Sequence, residues 1–228
     1  MAARRPIVRA VLIIVCVLAL VVVALGLWVV RLARAVPEYY HPMAASSENA
    51  AAAESVEHVL AREISRVRPA AADSKATRGG YESERWEVSL SEDDLNAWLS
   101  LRLPEWLRSR GTTLPAGFTD PVIECVDGGL ILAALWDSPI GKVVISQPIS
   151  IVDGHEWVLD GPVVGDLPAP AVFGESIAKL LEHVKTGITM QAGRVKLERV
   201  GLEDGRAVRI ETIRADSNGL VLVCRTVR

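Results

Sequence analysis

Residues 10–30 form a run of twenty-one residues that contains no charged residue and no proline. As an α-helix with a rise of about 1.5 Å per residue, the run is about 31 Å long, which matches the hydrocarbon core of a bilayer. Core helices of soluble proteins rarely stay apolar on every face over such a length. The run therefore predicts a transmembrane helix, and a chain of 228 residues leaves room for one further domain.

Positive charge is greater before this span than after it. Because the more positive flank of a span stays in the cytoplasm, we expect residues 1–9 inside and the rest of the chain extracytoplasmic. The predicted location is the cytoplasmic (inner) membrane, crossed once. The arginines concerned are Arg4, Arg5 and Arg9 before the span and Arg31 and Arg34 after it.

The segment that follows the span predicts an interfacial exit and a short connection. Trp28, Tyr39 and Tyr40 are suited to the aromatic belt of a membrane interface, and Pro37 ends the helix after it leaves the bilayer. Residues 31–46 are then a juxtamembrane tether, and residues 47–228 are the extracytoplasmic domain.

A cleaved signal peptide is the alternative interpretation of the same segment. Ala33-Arg34-Ala35 has the small-x-small spacing that signal peptidases accept, with cleavage after Ala35. Against it, the apolar run exceeds the usual length of about 7–15 residues, and Pro37 lies two residues beyond the site. We therefore favour an uncleaved anchor.

The charge of the exported portion excludes one class of partner. Twenty Lys and Arg side chains and all 28 Asp and Glu side chains follow residue 35, a net charge of −8. A surface of this sign repels phosphate backbones, and no cluster of basic residues offsets it. We therefore expect no nucleic-acid partner; the bilayer is the partner of residues 10–30.

Periodicity predicts an α+β fold for the exported portion. An apolar stripe at helical spacing follows Ser46 or Ser47, and Ser91 with Asp94 forms a capping-box variant after a strand at residues 86–90. Alternating apolar runs between Asp-Gly turn signals predict an antiparallel meander, interrupted by an amphipathic helix at residues 173–184. The expected architecture is an N-terminal transmembrane helix followed by a curved antiparallel sheet with helices packed on it. The other predicted strands are residues 122–126, 130–136, 142–151, 156–164, 195–200, 207–214 and 220–227.

The chain has three cysteines, and their oxidation state depends on the compartment in which they lie. Cys16 lies inside the predicted span, whereas Cys125 and Cys224 lie in apolar, strand-like runs of the exported portion. A pair in an oxidising compartment can form a disulfide, but buried free cysteines are equally common. A Cys125–Cys224 disulfide and two free thiols both stay open.

No motif predicts catalysis, a metal or a cofactor. The four histidines lack metal-ligand spacing, and the chain has no phosphate-binding glycine loop and no nucleophile elbow. The strings SIAK at residues 176–179 and KTG at residues 185–187 match two signatures of penicillin-binding enzymes. In that fold the KTG lies on a separate strand, whereas here both strings belong to one helix. Ser176 and Lys179 are therefore expected to be surface residues, and the protein is expected not to be an enzyme.

Two segments carry a family resemblance. One is VSLSEDDLNAWL at residues 88–99, a strand leading into a helix; the other is VVGDLPAP at residues 163–170, which leads into the amphipathic helix. Their order over residues 86–228, after a single span, resembles the YpmS-like family of single-span bacterial envelope proteins. It is more distantly similar to the tubular lipid-binding group that includes YceB-like lipoproteins.

The resemblance implies an elongated apolar groove for lipid and no catalytic residue. The typical Leu-Pro-Leu-Pro corner reads Leu-Pro-Ala-Pro here, so a groove contact at Ala169 does not carry over. Five tryptophans in the exported portion fit either a packed core or such a groove. Our first hypothesis is a membrane-anchored binding module that holds or transfers a lipid-like apolar ligand. The alternative is a non-catalytic structural or assembly factor of the cell envelope that contacts another envelope protein. The candidate groove residues are Trp98, Leu99, Trp136, Leu167, Phe173 and Ile177.

Overall fold

A computed structural model describes residues 4–71, 81–169, 188–191, 194–197, 199–202 and 204–228. Within them the fold is α+β, as predicted, with helices packed on antiparallel sheets. The helices are α1 Arg4–Ala33, α2 Ser47–Ser65, α3 Glu92–Leu101 and α4 Leu103–Ser109. The strands are β1 Trp86–Ser91, β2 Phe118–Val126, β3 Gly129–Ser138, β4 Gly141–Val152, β5 Glu156–Leu159, β6 Val163–Val164, β7 Leu167–Pro168, β8 Ile188–Gln191, β9 Arg194–Leu197, β10 Arg199–Gly201, β11 Ala207–Asp216 and β12 Gly219–Val227.

Helix α1 is long and apolar enough to cross a membrane. Its window Cys16–Ala33 has a mean hydropathy of 2.6, and only 6 % of the window is buried against the rest of the protein. An N-terminal signal sequence meets the same criterion of length and composition. The prediction of one apolar N-terminal helix is confirmed at this level.

The helix starts follow the predicted caps. Ser46 Oγ accepts a hydrogen bond from the Asn49 N–H at the start of α2 (3.1 Å), and Ser91 Oγ accepts one from the Asp94 N–H at the start of α3 (3.1 Å). Helix α2 ends at Ser65, before Pro69. Arg68 donates to the Glu63 carbonyl oxygen that the next helical turn would use, and this local contact replaces the helical hydrogen bond.

The strands form two sheets where the sequence predicted one. The small sheet has the order β1-β12-β11-β10; the large sheet has the order β2-β3-β4-β5-β9-β8, with β6 on β4 and β7 on β6. The predicted strand 195–200 changes sheet between β9 and β10. The predicted strand 156–164 is divided between β5 and β6, with Pro162, which lacks an N–H, before β6. The amphipathic helix predicted at residues 173–184 lies outside the described residues.

Three apolar clusters join these layers. The first packs α2 on one half of the small sheet, through Val56, Trp86 and Val88. The second joins the two sheets, where Leu130 and Ile149 of the large sheet meet buried residues of the small sheet; these are Ile213, Ala215 and Leu220. The third lies on the opposite face of the large sheet. The large sheet therefore has an apolar cluster on each of its two faces.

Helix α3 covers the edge strand β2 with two polar side chains. The Asn96 amide donates to the Ile123 carbonyl oxygen (2.8 Å) and accepts from the Ile123 N–H (2.7 Å). One helical turn earlier, the Glu92 carboxylate accepts from the Cys125 N–H (2.7 Å). Two side chains four residues apart on the helix thus reach two residues that are two apart on the strand. They bind backbone N–H and C=O groups that an edge strand leaves without a partner strand.

We predict that Asn96→Ala lowers the free energy of unfolding by about 2–4 kcal/mol, because both backbone groups of Ile123 lose their partner in a buried position. Thermal unfolding of the purified full chain measures this change. Asn49→Ala is the matched control, since its amide makes one exposed hydrogen bond to Ala44 and its loss costs under about 1 kcal/mol. Equal stability of the two variants would contradict the prediction.

Candidate functional site

The structure places two candidate groove residues on α3. Trp98 packs against the cluster between α2 and the small sheet. Its indole N–H donates to Glu57 of α2 (3.2 Å), and its ring meets Trp106 edge to face at 6.3 Å between centroids. Leu99 follows it and is half-buried. These two residues belong to the helical layer.

Two other candidates share a face of the large sheet. Trp136 of β3 pairs with Val143 of β4, and two residues further along β4 Ile145 pairs with Val164 of β6. Val164 in turn pairs with Leu167 of β7. Since paired residues and residues two apart point to the same side, all five side chains lie on one face. The other two candidates, Phe173 and Ile177, lie outside the described residues.

We call this surface the Trp136 face. Val143 and Ile145 at its centre are each 2 % exposed, whereas the side chains at its ends are half-buried. At one end Phe118 stacks on Trp136, with 6.4 Å between ring centroids. The face is therefore apolar from β2 to β7. Its members are Phe118, Trp136, Val143, Ile145, Val164 and Leu167.

One polar side chain stands in line with the Trp136 face, and the sequence analysis did not single it out. Gln147 follows Ile145 on the same side of β4 and is 1 % exposed. Its amide nitrogen donates to the carbonyl oxygens of Pro148 (3.0 Å) and Asp160. Its side-chain oxygen is buried and accepts no hydrogen bond from a described residue. The only signal in the sequence is a lone glutamine at a position where the alternation predicts an apolar residue.

The C-terminal end of α1 is docked on the large sheet. The Asp166 N–H donates to the Leu32 carbonyl oxygen (3.2 Å), and the Gly165 N–H donates to the Val144 carbonyl oxygen (3.0 Å). Arg34 donates from Nε (2.8 Å) and from Nη2 to the carbonyl oxygen of Ile140, at the tip of the β3–β4 hairpin. We call these contacts the junction.

The tether predicted at residues 31–46 is therefore docked over part of its length. Tyr40 is 6 % exposed in the third cluster, beside Val122 and Val144, and its hydroxyl donates to the Asp120 carbonyl oxygen (2.9 Å). Tyr39 donates to Ser146 Oγ (2.7 Å). These rings were predicted at the membrane interface, but they cover the face of the large sheet opposite the Trp136 face. Paired tyrosines near a span fit either role, so the sequence could not separate them.

The two cysteines of the predicted extracytoplasmic domain lie in different sheets. Cys125 in the large sheet and Cys224 in the small sheet are both free and buried, so no disulfide joins them. Burial raises the pKa of each thiol to about 11; nearby carboxylates add to the shift at Cys125, whereas Arg68 partly opposes it at Cys224. Both thiols are therefore protonated and poorly nucleophilic at neutral pH.

Titratable side chains form ion pairs rather than a reactive site in the described part of the chain. On the open face of the small sheet, Arg225 contacts Glu211 (2.8 Å) and Glu82 (3.5 Å). Arg209 also pairs with Glu82, and Arg85 with Glu211 (2.7 Å). No group of three or more possible metal ligands occurs among the described residues. Ser176 and Lys179 lie outside them.

Two open clefts lie outside the Trp136 face, and one of them adjoins it through Asp166, the neighbour of Leu167. One, of about 520 Å³, lies at the junction, and the other, of about 580 Å³, lies between the start of α2 and α4. Neither is lined by any candidate groove residue.

Comparison with known proteins gave no match: no family model matches the chain, and no curated protein or solved structure is significantly similar to it. The resemblance to YpmS-like proteins stays a prediction based on residues 88–99 and 163–170.

We predict that Gly165→Ala detaches the end of α1 from the sheet. Gly165 has φ +54°, and a Cβ atom there would lie 2.8 Å from the Ala33 carbonyl oxygen and closer still to that of Leu32. We expect a loss of stability of about 2–4 kcal/mol. Thermal unfolding of the full chain, together with the rate of proteolysis within residues 34–46, measures this.

Gly161→Ala is the matched control, because no atom lies within 4 Å of its Cβ position and its φ is not positive. Unfolding and proteolysis that are the same in both variants would show that the junction does not hold α1 in place.

Proposed function

We propose that the protein is a non-catalytic binding module of the cell envelope, anchored in the cytoplasmic membrane by α1 with its N-terminus inside. Its extracytoplasmic domain holds or transfers a lipid-like ligand on the Trp136 face. The observation that carries the proposal is the position of this face directly beside the point where the chain leaves the membrane.

The junction supports an uncleaved anchor. Cleavage after Ala35 would remove Leu32, Ala33 and Arg34, all of which contact the folded domain. A signal peptide leaves before its domain folds, so its residues have no reason to fit the mature surface. The close approach of Gly165 to the end of α1 is such a fit.

The same contacts support a lipid-like ligand. Leu167 at one end of the Trp136 face follows Asp166, whose N–H bonds to Leu32 at the end of α1. An acyl chain leaving the outer leaflet would therefore meet apolar side chains within one or two residues of the membrane surface. The acyl chain would then move from the bilayer to the Trp136 face with little exposure to water, which keeps the free-energy cost of transfer low.

Gln147 adds a polar requirement to this ligand. A buried amide oxygen without a hydrogen-bond partner costs about 1–3 kcal/mol, and a donor from a ligand would recover that cost. We propose that the ligand carries a hydroxyl or amide N–H at the depth of Gln147, beyond Ile145 along β4.

A structural or assembly factor is the second candidate function, and the docked junction favours it. A domain held at a fixed angle to the membrane presents the same surface to every partner in the envelope. If the protein has this assembly role, the Trp136 face is part of the packed core and binds no ligand. The partner is then another envelope protein.

We predict that the carboxyl terminus is extracytoplasmic. Alkaline phosphatase fused after Arg228 should be active in cells, and the fusion should stay in the membrane fraction at its full, uncleaved size. A fluorescent protein that folds only in the cytosol, fused at the same position, is the control and should stay dark. The opposite pattern would contradict the proposed topology, and a shortened soluble product would show cleavage.

We predict that a photo-crosslinking residue at Trp136 or Leu167 of the full chain captures a lipid in cells. A benzophenone amino acid at either position should give an adduct that mass spectrometry identifies by its acyl chains. The same residue at Leu20, inside the span, is the positive control for bilayer lipid. At Trp98, which packs against α2, it should capture none.

An adduct at residue 20 without any at residues 136 and 167 would contradict a lipid-like ligand on this face. Capture of one defined protein at those positions would support the assembly role instead.

A further inference from the structure

The open cleft at the junction combines apolar and charged walls. Its volume is about 520 Å³, and its lower residues belong to the last two turns of α1. We call it the exit cleft. It is lined by Leu27, Val30, Arg31, Leu32, Arg34, Ala35 and Asp166.

The exit cleft crosses the level at which a bilayer changes from hydrocarbon to headgroups. Leu27 and Val30 lie at the end of the predicted span, residues 10–30, and Arg31 and Arg34 follow it. From Leu27 to Arg34 the helix rises about 10 Å. With α1 in a membrane, the lower wall would face acyl chains and the upper wall would face phosphates.

The three charged groups of the exit cleft are not neutralised by one another. The side chains of Arg31 and Asp166 are exposed and form no ion pair with a described residue. Arg34 is held in place by its bonds to Ile140, and its charge has no described carboxylate partner either. Two cations and one anion thus line a single cleft at headgroup level.

We infer that the exit cleft binds the headgroup of one phospholipid that carries a primary ammonium group, such as phosphatidylethanolamine. The guanidinium groups of Arg31 and Arg34 hold its phosphate, since planar N–H donors match phosphate oxygens. The Asp166 carboxylate accepts from its ammonium group, and Leu27 and Val30 contact its acyl chains. The inference rests on the membrane insertion proposed above but not on a ligand at the Trp136 face.

The combination of two positive charges and one negative charge determines which class of lipid the cleft prefers. An anionic headgroup without an ammonium group, such as that of phosphatidylglycerol, would meet the two arginines favourably but would leave the Asp166 carboxylate without a cationic partner. A headgroup with both phosphate and ammonium satisfies all three side chains. The cleft should therefore prefer the ammonium lipid, and loss of the carboxylate should remove that preference.

Native mass spectrometry of the full chain tests this inference. The protein is placed in nanodiscs of equal parts phosphatidylethanolamine and phosphatidylglycerol, released into mild detergent, and scored for retained lipid. We expect wild type to keep one phosphatidylethanolamine. Arg31→Gln should lower its retention about tenfold, as for loss of one charge-assisted pair. Asp166→Asn should keep a phospholipid but bind both classes equally.

Arg199→Gln is the matched control, an exposed arginine on β10 of the small sheet, and it should behave as wild type. Equal retention by Arg31→Gln and Arg199→Gln, or an unchanged preference in Asp166→Asn, would overturn the inference. Thermal unfolding of each variant checks that it is folded.

Failure of the proposed function would give results that differ from failure of this inference. A chain that does not insert would be missing from the nanodiscs altogether. An empty Trp136 face would show only in the crosslinking at residues 136 and 167.

Discussion

The contact between the end of α1 and the turn at Gly165 is the constraint on which the rest of the structure depends. Only a residue without a side chain allows the carbonyl oxygens of Leu32 and Ala33 to approach this turn so closely. The approach aligns Arg34 with the β3–β4 hairpin and carries Tyr39 and Tyr40 onto the large sheet. The direction of α1 relative to the large sheet is thereby fixed.

Local signals in the sequence predicted the local structure well. Ser46 and Ser91 cap helices because their hydroxyls reach the free N–H groups of the first turn. Asp153 and Gly154 form a turn with positive φ, as an Asp-Gly pair favours. The apolar length of α1 and the α+β class follow from periodicity and composition. Each of these features depends on residues that are near neighbours in the chain.

Features that depend on distant partners could not be predicted in this way. The division into two sheets depends on strand pairings between distant parts of the chain: β9 pairs with β5 in the large sheet, whereas β10, which follows it, pairs with β11 in the small sheet. Asn96 looked like an ordinary polar helix residue, because its partner Ile123 lies 27 residues away. Of the candidate groove residues, Trp136 and Leu167 share a face through the pairing of four strands, whereas Trp98 and Leu99 lie in the helical layer.

The docking of Tyr39 and Tyr40 limits how far the domain can reach. A flexible tether of sixteen residues would let it wander by roughly 20 Å from the point of exit. With residues 39 and 40 docked on the sheet, that freedom is lost. If α1 spans the membrane as proposed, the domain stays close to the bilayer, and a partner would have to reach it at the lipid surface or within the plane of the membrane.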